Sequence, residues 1–187
     1  MAQASRPILA DIEEEFRKLK RMAERAIEQL QDQDLLFRLN ADANSIAVIV
    51  KHLSGNMVSR FRDFLTTDGE KPDRNRDGEF TEEPLSREQV MAMWERGWKI
   101  VFDAIAPLTD ADLSKIVTIR GEPHSVFKAL NRQTSHYGYH VGQIVLLAKH
   151  IKLSRGETWN YLTVPRGQSQ QFNKQMSARH GPFSPSP

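Results

Sequence analysis

Cysteine is missing altogether from this chain of 187 residues. Its absence excludes disulfides, thiolate metal sites and a cysteine nucleophile, and it fits a reducing cytoplasm. Long apolar runs are missing too: the longest, "SIAVIV" at 45–50, is far too short to cross a bilayer. The opening residues, "MAQASRPILADIEEEF", lack the basic start and apolar core of a signal peptide. Neither sign of charge dominates, with 26 basic residues against 24 acidic and a formal net charge of +2. No Lys/Arg block interleaved with aromatics occurs, so a pI near 8.9 does not mark a nucleic-acid binder. Also absent are H-E-x-x-H, the E-x-x-H pair of di-iron carboxylate bundles, a P-loop and G-x-S-x-G. These absences lead to the expectation of a soluble cytoplasmic protein that engages neither membrane nor nucleic acid.

What is present is ordinary globular composition, 39% hydrophobic and 27% charged, in a chain long enough for one sizeable core. Apolar residues recur at helical spacing over 7–31, where Ile8, Ile12, Phe16 and Leu19 share a face and Pro7 suits the first turn. A second helix is predicted over 45–65, with Asn44 or Ser45 as its cap and a stripe from Ile46 to Phe64. Residues 66–84, rich in Gly, Pro, Asp and Arg, carry no periodicity and read as a long loop flanking a site or a partner. "SREQ" at 86–89 has capping-box spacing and opens a third helix that ends before Pro107. Residues 109–113 add one short turn, and 115–126 alternate around Gly-Glu-Pro as a small hairpin or extended crossover. The last long helix covers about 125–151. The pattern is that of an all-α four-helix bundle with long crossover connections and a small hairpin before the last helix. The bundle domain is placed at 1–164, and the Gln/Ser/Pro-rich stretch 165–187 reads as an extended or disordered tail.

The chemistry concentrates in "SHYGYHVGQIVLLAKH", residues 135–150. His136 and His140 lie one turn apart on the helix face that also carries Ala129, Gln133, Ile144, Leu147 and Ile151, so they point to the core. Two imidazoles at this spacing can converge on one metal ion, or each can be an ordinary core histidine satisfied by a carbonyl or a Tyr. His52, in the middle of the second helix, could supply a third nitrogen and leave positions open for water or substrate. Its sector, shared with Ser45, Ile49, Asn56 and Ser59, lies away from the apolar stripe. Either that helix is buried on more than one side or His52 faces solvent. His150 is roughly 15 Å along the axis from His140, too far to share an ion, while His124 in the turn and His180 in the tail are expected to be exposed. Gly138 and Gly142, opposite the histidines, allow close approach of another helix, from the same chain or from a second copy. Trp94 and Trp98 read as core or interface anchors.

Four separated stretches, "IAVIVKHLSGNMVSRFRDFL", "TDGEKPDRNRDGEF", "SHYGYHVGQIVLLAKH" and "VPRGQSQQFN", resemble the DinB-like, YfiT-like superfamily, in a branch of unknown function. The resemblance spans nearly the whole chain. It implies a four-helix bundle with a long crossover, often dimeric, whose divalent metal is held by one histidine of the second helix and an H-x-x-x-H pair of the fourth. Carried over residue by residue, the metal ligands are His52, His136 and His140, with zinc or nickel as the expected ion. The resemblance also implies an enzyme activating water or a low-molecular-weight thiol, as S-transferase relatives do, in a homodimer. The other class of function is a non-catalytic, stress-associated dimeric bundle whose metal is structural.

Overall fold

The computed structural model describes residues 6–181. Five α-helices form: α1 (Pro7–Ile27), α2 (Ile46–Phe61), α3 (Arg87–Ile105), α4 (Val126–Ser154) and α5 (Ser169–His180). A two-stranded antiparallel hairpin, β1 (Ile116–Ile119) and β2 (Glu122–Ser125), precedes α4. The four long helices make the bundle, with α1 packed most extensively on α4 and α2 on α3. The all-α class, the bundle and the small hairpin are as the sequence implies.

Local chemistry explains where the helices start. Pro7 occupies the first turn of α1. Ser45 caps α2 by accepting from the Val48 N–H at 3.2 Å, and Ser86 and Gln89 close a reciprocal capping box on α3. The second helix stops at Phe61, short of the expected Leu65, because Arg62 turns extended and Asp63 adopts a left-handed conformation with φ 50°. The hairpin turns on Arg120 and Gly121, both left-handed (φ 55° and 76°), so Glu122 and Pro123 belong to β2 rather than to the turn.

Phe16, Trp94, Trp98 and Tyr137 are fully buried among the aliphatic residues of α1, α3 and α4. Trp94 and Trp98 are therefore core residues of the single chain and not interface anchors. Gly138 and Gly142 have the opposite fate: a Cβ at either would meet nothing within 4 Å, so among the described residues they pack against no other helix.

Within the stretch 165–187, expected to be extended or disordered, residues Ser169–His180 form α5, all of them exposed. Between Gly167 and Gly181 it has no glycine or proline, and its Gln, Lys, Met, Ala and Arg residues favour a helix without a core to bury against. The part of the predicted tail at 182–187 lies outside the described residues, as do residues 1–5 of the opening segment. Among the described residues no helix is long and apolar enough to cross a membrane.

Candidate metal centre

His52 of α2 and His136 and His140 of α4 come together between the two helices. One ring nitrogen from each lies within 4.8 Å of the others. The Nε2 atoms of His52 and His136 are 3.3 Å apart, and the ring centroids of His136 and His140 are 4.8 Å apart. Among the described residues this is the one group of histidine and acidic side chains placed to hold a metal.

The sector of α2 that carries His52 is buried because the 66–84 stretch folds back over it. Ile49, His52, Asn56, Ser59 and Arg60 are all buried, so α2 is covered on nearly every side. Ser59 donates to the Gly69 carbonyl at 2.9 Å, and Lys51 reaches the Thr81 carbonyl at 3.0 Å. A short 3₁₀ turn, Asp77–Phe80, then lays Phe80 against His52 with ring centroids 4.6 Å apart. The loop flanks the site, as its length and composition suggest, and it does so as packed structure.

That turn also supplies Glu79, whose part in the site the sequence did not reveal. Its carboxylate accepts from His52 Nδ1 at 2.9 Å and is gripped by the Arg74 fork, with both contacts at 2.8 Å. Gly55 makes room for it: a Cβ there would collide with the Glu79 carboxylate. Burial pushes the Glu79 carboxyl pKa up, but the hydrogen bonds from His52 and Arg74 and the nearby positive charge outweigh that, and it sits below its usual range. The one signal for Glu79 in the sequence was the density of Arg, Asp and Glu in "EKPDRNRDGEF", within a loop too long to be a mere connection.

These partners fix which nitrogens are free. A carboxylate only accepts, so His52 carries its proton on Nδ1 and leaves the Nε2 lone pair pointing at the cluster. His140 Nδ1 donates to Gln143 Oε1 at 2.9 Å, which frees its Nε2 in the same way. His136 Nδ1 is buried without a partner, as is Oε1 of Gln133 one turn earlier. Burial, with help from the charge that His140 and His52 would carry and from Arg60 and Arg74, pushes His136 down to about 3. His140 is lowered by burial, against the pull of Gln143. Burial thus favours the neutral form of both α4 imidazoles, the state that binds a cation.

The histidines form one wall of a cavity of about 410 Å³, within the usual range for small-molecule sites. A second cavity, about 330 Å³, shares Arg74 with the first but touches none of the three histidines.

The remaining histidines lie elsewhere. His124, expected to be exposed in a turn, is buried on β2, with Nδ1 donating to the Glu122 carbonyl at 2.9 Å. The turn falls two residues earlier than the Gly-Glu-Pro reading placed it, and this brings His124 inside. His150 is exposed and stacks on Phe37, and His180 is exposed on α5.

Fold and site together define a four-helix bundle with a buried three-histidine group, able to hold a metal, between its second and fourth helices. The chain belongs to a family of proteins of unknown function, DUF1572, whose model matches residues 3–168, through all four bundle helices and ending before α5. No curated protein matches the chain significantly.

Proposed function

We propose that the protein is a divalent-metal-binding member of the DinB-like, YfiT-like superfamily, and that His52, His136 and His140 hold a zinc or nickel ion at a reactive centre. The observation that carries this reading is the convergence of imidazole lone pairs on the wall of an open cavity. All-imidazole ligation suits both ions. A divalent ion bound there would lower the pKa of a water or low-molecular-weight thiol taken up beside it. The chain's own residues supply orientation: Glu79 holds the proton on His52 Nδ1, Gln143 holds that on His140 Nδ1, and Arg74 fixes Glu79. Carboxylate and amide partners of this kind set the tautomer and raise the basicity of a ligating imidazole.

The other reading is a structural ion that merely ties α2 to α4. Such sites are normally closed by a fourth protein ligand. Glu79, the buried carboxylate beside the cluster, is turned to His52 Nδ1 and Arg74 instead, which favours the reactive reading. The homodimer belongs to the same proposal. On the outer face of α4, Gly138 and Gly142 border the exposed Tyr139 and Leu146, and among the described residues no other helix packs on the two glycines. A solution mass of one 21.4 kDa chain would reject it.

Elemental analysis of the purified protein tests the metal directly. Close to one transition-metal ion per chain is expected, and His140→Ala should lose it while keeping its helicity. Full occupancy in that variant would remove the assignment.

A further inference from the structure

The cavity beside the histidines is lined by Arg60, Arg74, Arg76, Arg120 and Arg132, and by no carboxylate. The carboxylates that partner these arginines stand behind them. Glu70 alone serves three, at 3.1 Å from Arg60, 3.1 Å from Arg120 and 3.5 Å from Arg74. Arg74 is also held by Glu79, and Arg76 reaches only the exposed Asp77 at 3.8 Å. Arg132 has no ion-pair partner among the described residues; its guanidinium approaches His124 Nε2 at 3.4 Å, the nitrogen left unprotonated when Nδ1 donates to Glu122. The guanidiniums thus outnumber the carboxylates paired with them, at a concave site in a chain whose overall charge is only +2. Low-dielectric walls strengthen that field.

Four buried polar atoms of residues on the same lining have no partner among the described residues: Asn56 Oδ1, Gln133 Oε1, Arg60 Nε and His136 Nδ1. Asn56, Gln133 and Arg60 are 6%, 3% and 6% exposed, so bulk water does not satisfy those three. Buried polar groups left open in this way are costly unless a bound molecule completes them.

We propose that the molecule bound at this site is a small anion, with a carboxylate or phosphate group gripped by Arg120 and Arg132 at the rim while its other end lies against the three histidines. The planar guanidinium fork matches both groups. Arg60 and Arg74, buried and tied to Glu70 and Glu79, set the field at the floor; Arg76, Arg120 and Arg132 are exposed at the rim, Arg120 resting on the shared Glu70. Asn56 and Gln133 offer amide groups to the polar middle of the molecule. This rests on the reading of the three histidines as a reactive centre, but the arginine contacts do not require the ion.

Calorimetric titration with succinate and, separately, with inorganic phosphate tests it, at an ionic strength fixed with potassium chloride. Metal content is measured on the same batch. Saturable one-to-one binding of at least one of the two anions is expected, and the tighter one identifies the group. The double variant Arg120→Gln/Arg132→Gln, altered only at exposed side chains, should weaken binding by about tenfold or more. His136→Ala should still bind the anion after losing the metal. No saturable binding of either anion, or equal binding by the double variant, overturns the proposal. A wild-type protein that binds the anion but no metal leaves the anion site standing and removes the metal reading instead.

Discussion

His136 and Tyr137 are neighbours in sequence and face two different interiors. Tyr137 enters the dry half of the bundle, where its ring and those of Phe16 and Trp98 lie with centroids 5.4–5.9 Å apart. His136 enters the wet half, among two other histidines, buried arginines and a carboxylate delivered by a loop. The same helix builds both, because a turn of 100° per residue separates adjacent side chains. The dry half gains from apolar burial and close packing, so it is where stability resides. The wet half buries polar groups that need partners from outside the helices, and the 66–84 stretch exists to provide them.

Substitutions should divide along that line. The largest effect is expected from Trp98→Ala, which opens a cavity in the dry half and should lower the unfolding free energy by about 3–5 kcal/mol in chemical denaturation. Its folded fraction should keep full metal occupancy. Glu79→Gln is the counterpart in the wet half. It removes the carboxylate behind His52 and should weaken metal binding by about 10–100-fold in a competition titration with a chelating dye, with a smaller loss of stability than Trp98→Ala. If Glu79→Gln costs as much stability and leaves affinity unchanged, the wet half is packing and nothing more.

The smallest effect concerns the tether that brings Arg120 to the cavity. Asp68 accepts from the backbone N–H groups of Glu70, Arg120 and Gly121 at 2.7–2.8 Å, pinning the hairpin turn to the loop. Burial pushes its carboxyl up, but these bonds win and hold it well below the usual 3.8. A folded-state pKa below the unfolded one means that the unfolded chain binds the extra proton. The stabilisation is therefore present above about pH 4 and is lost as pH falls toward the folded pKa. Asp68→Asn should cost about 1 kcal/mol near neutrality, since the group is partly solvated. It should also flatten the acid limb of stability between roughly pH 4 and pH 2. An unchanged acid limb would show that the turn is held by other contacts.

The dry half was readable from sequence, and the wet half only in outline. Stripes such as Ile46–Phe64 and the spacing of Ser86 and Gln89 report packing and capping within one helix, which periodicity captures. The geometry of His136 and His140 was readable for the same reason. His52 looked misplaced on its own helix, because the sector that carries it is covered by residues some thirty positions later, which no periodicity links to it. Glu79 acts through such a long-range contact, Arg74 acts through Glu79, and neither shows a pattern of its own. His124 was misplaced by a shift of two residues in the turn, which moved it from solvent to the buried face of β2. Helix α5 was missed because nothing in it is buried, so it has no stripe to find.

The central claim is that the wet half is a metal site built for exchange rather than a clasp between helices. X-ray absorption at the zinc edge, on protein loaded with one equivalent of zinc, tests it most directly. The account predicts three imidazole nitrogens at about 2.0–2.1 Å and at least one further light-atom ligand that is replaced when a thiol or azide is added. A closed shell of four protein ligands, unchanged by either addition, would contradict it.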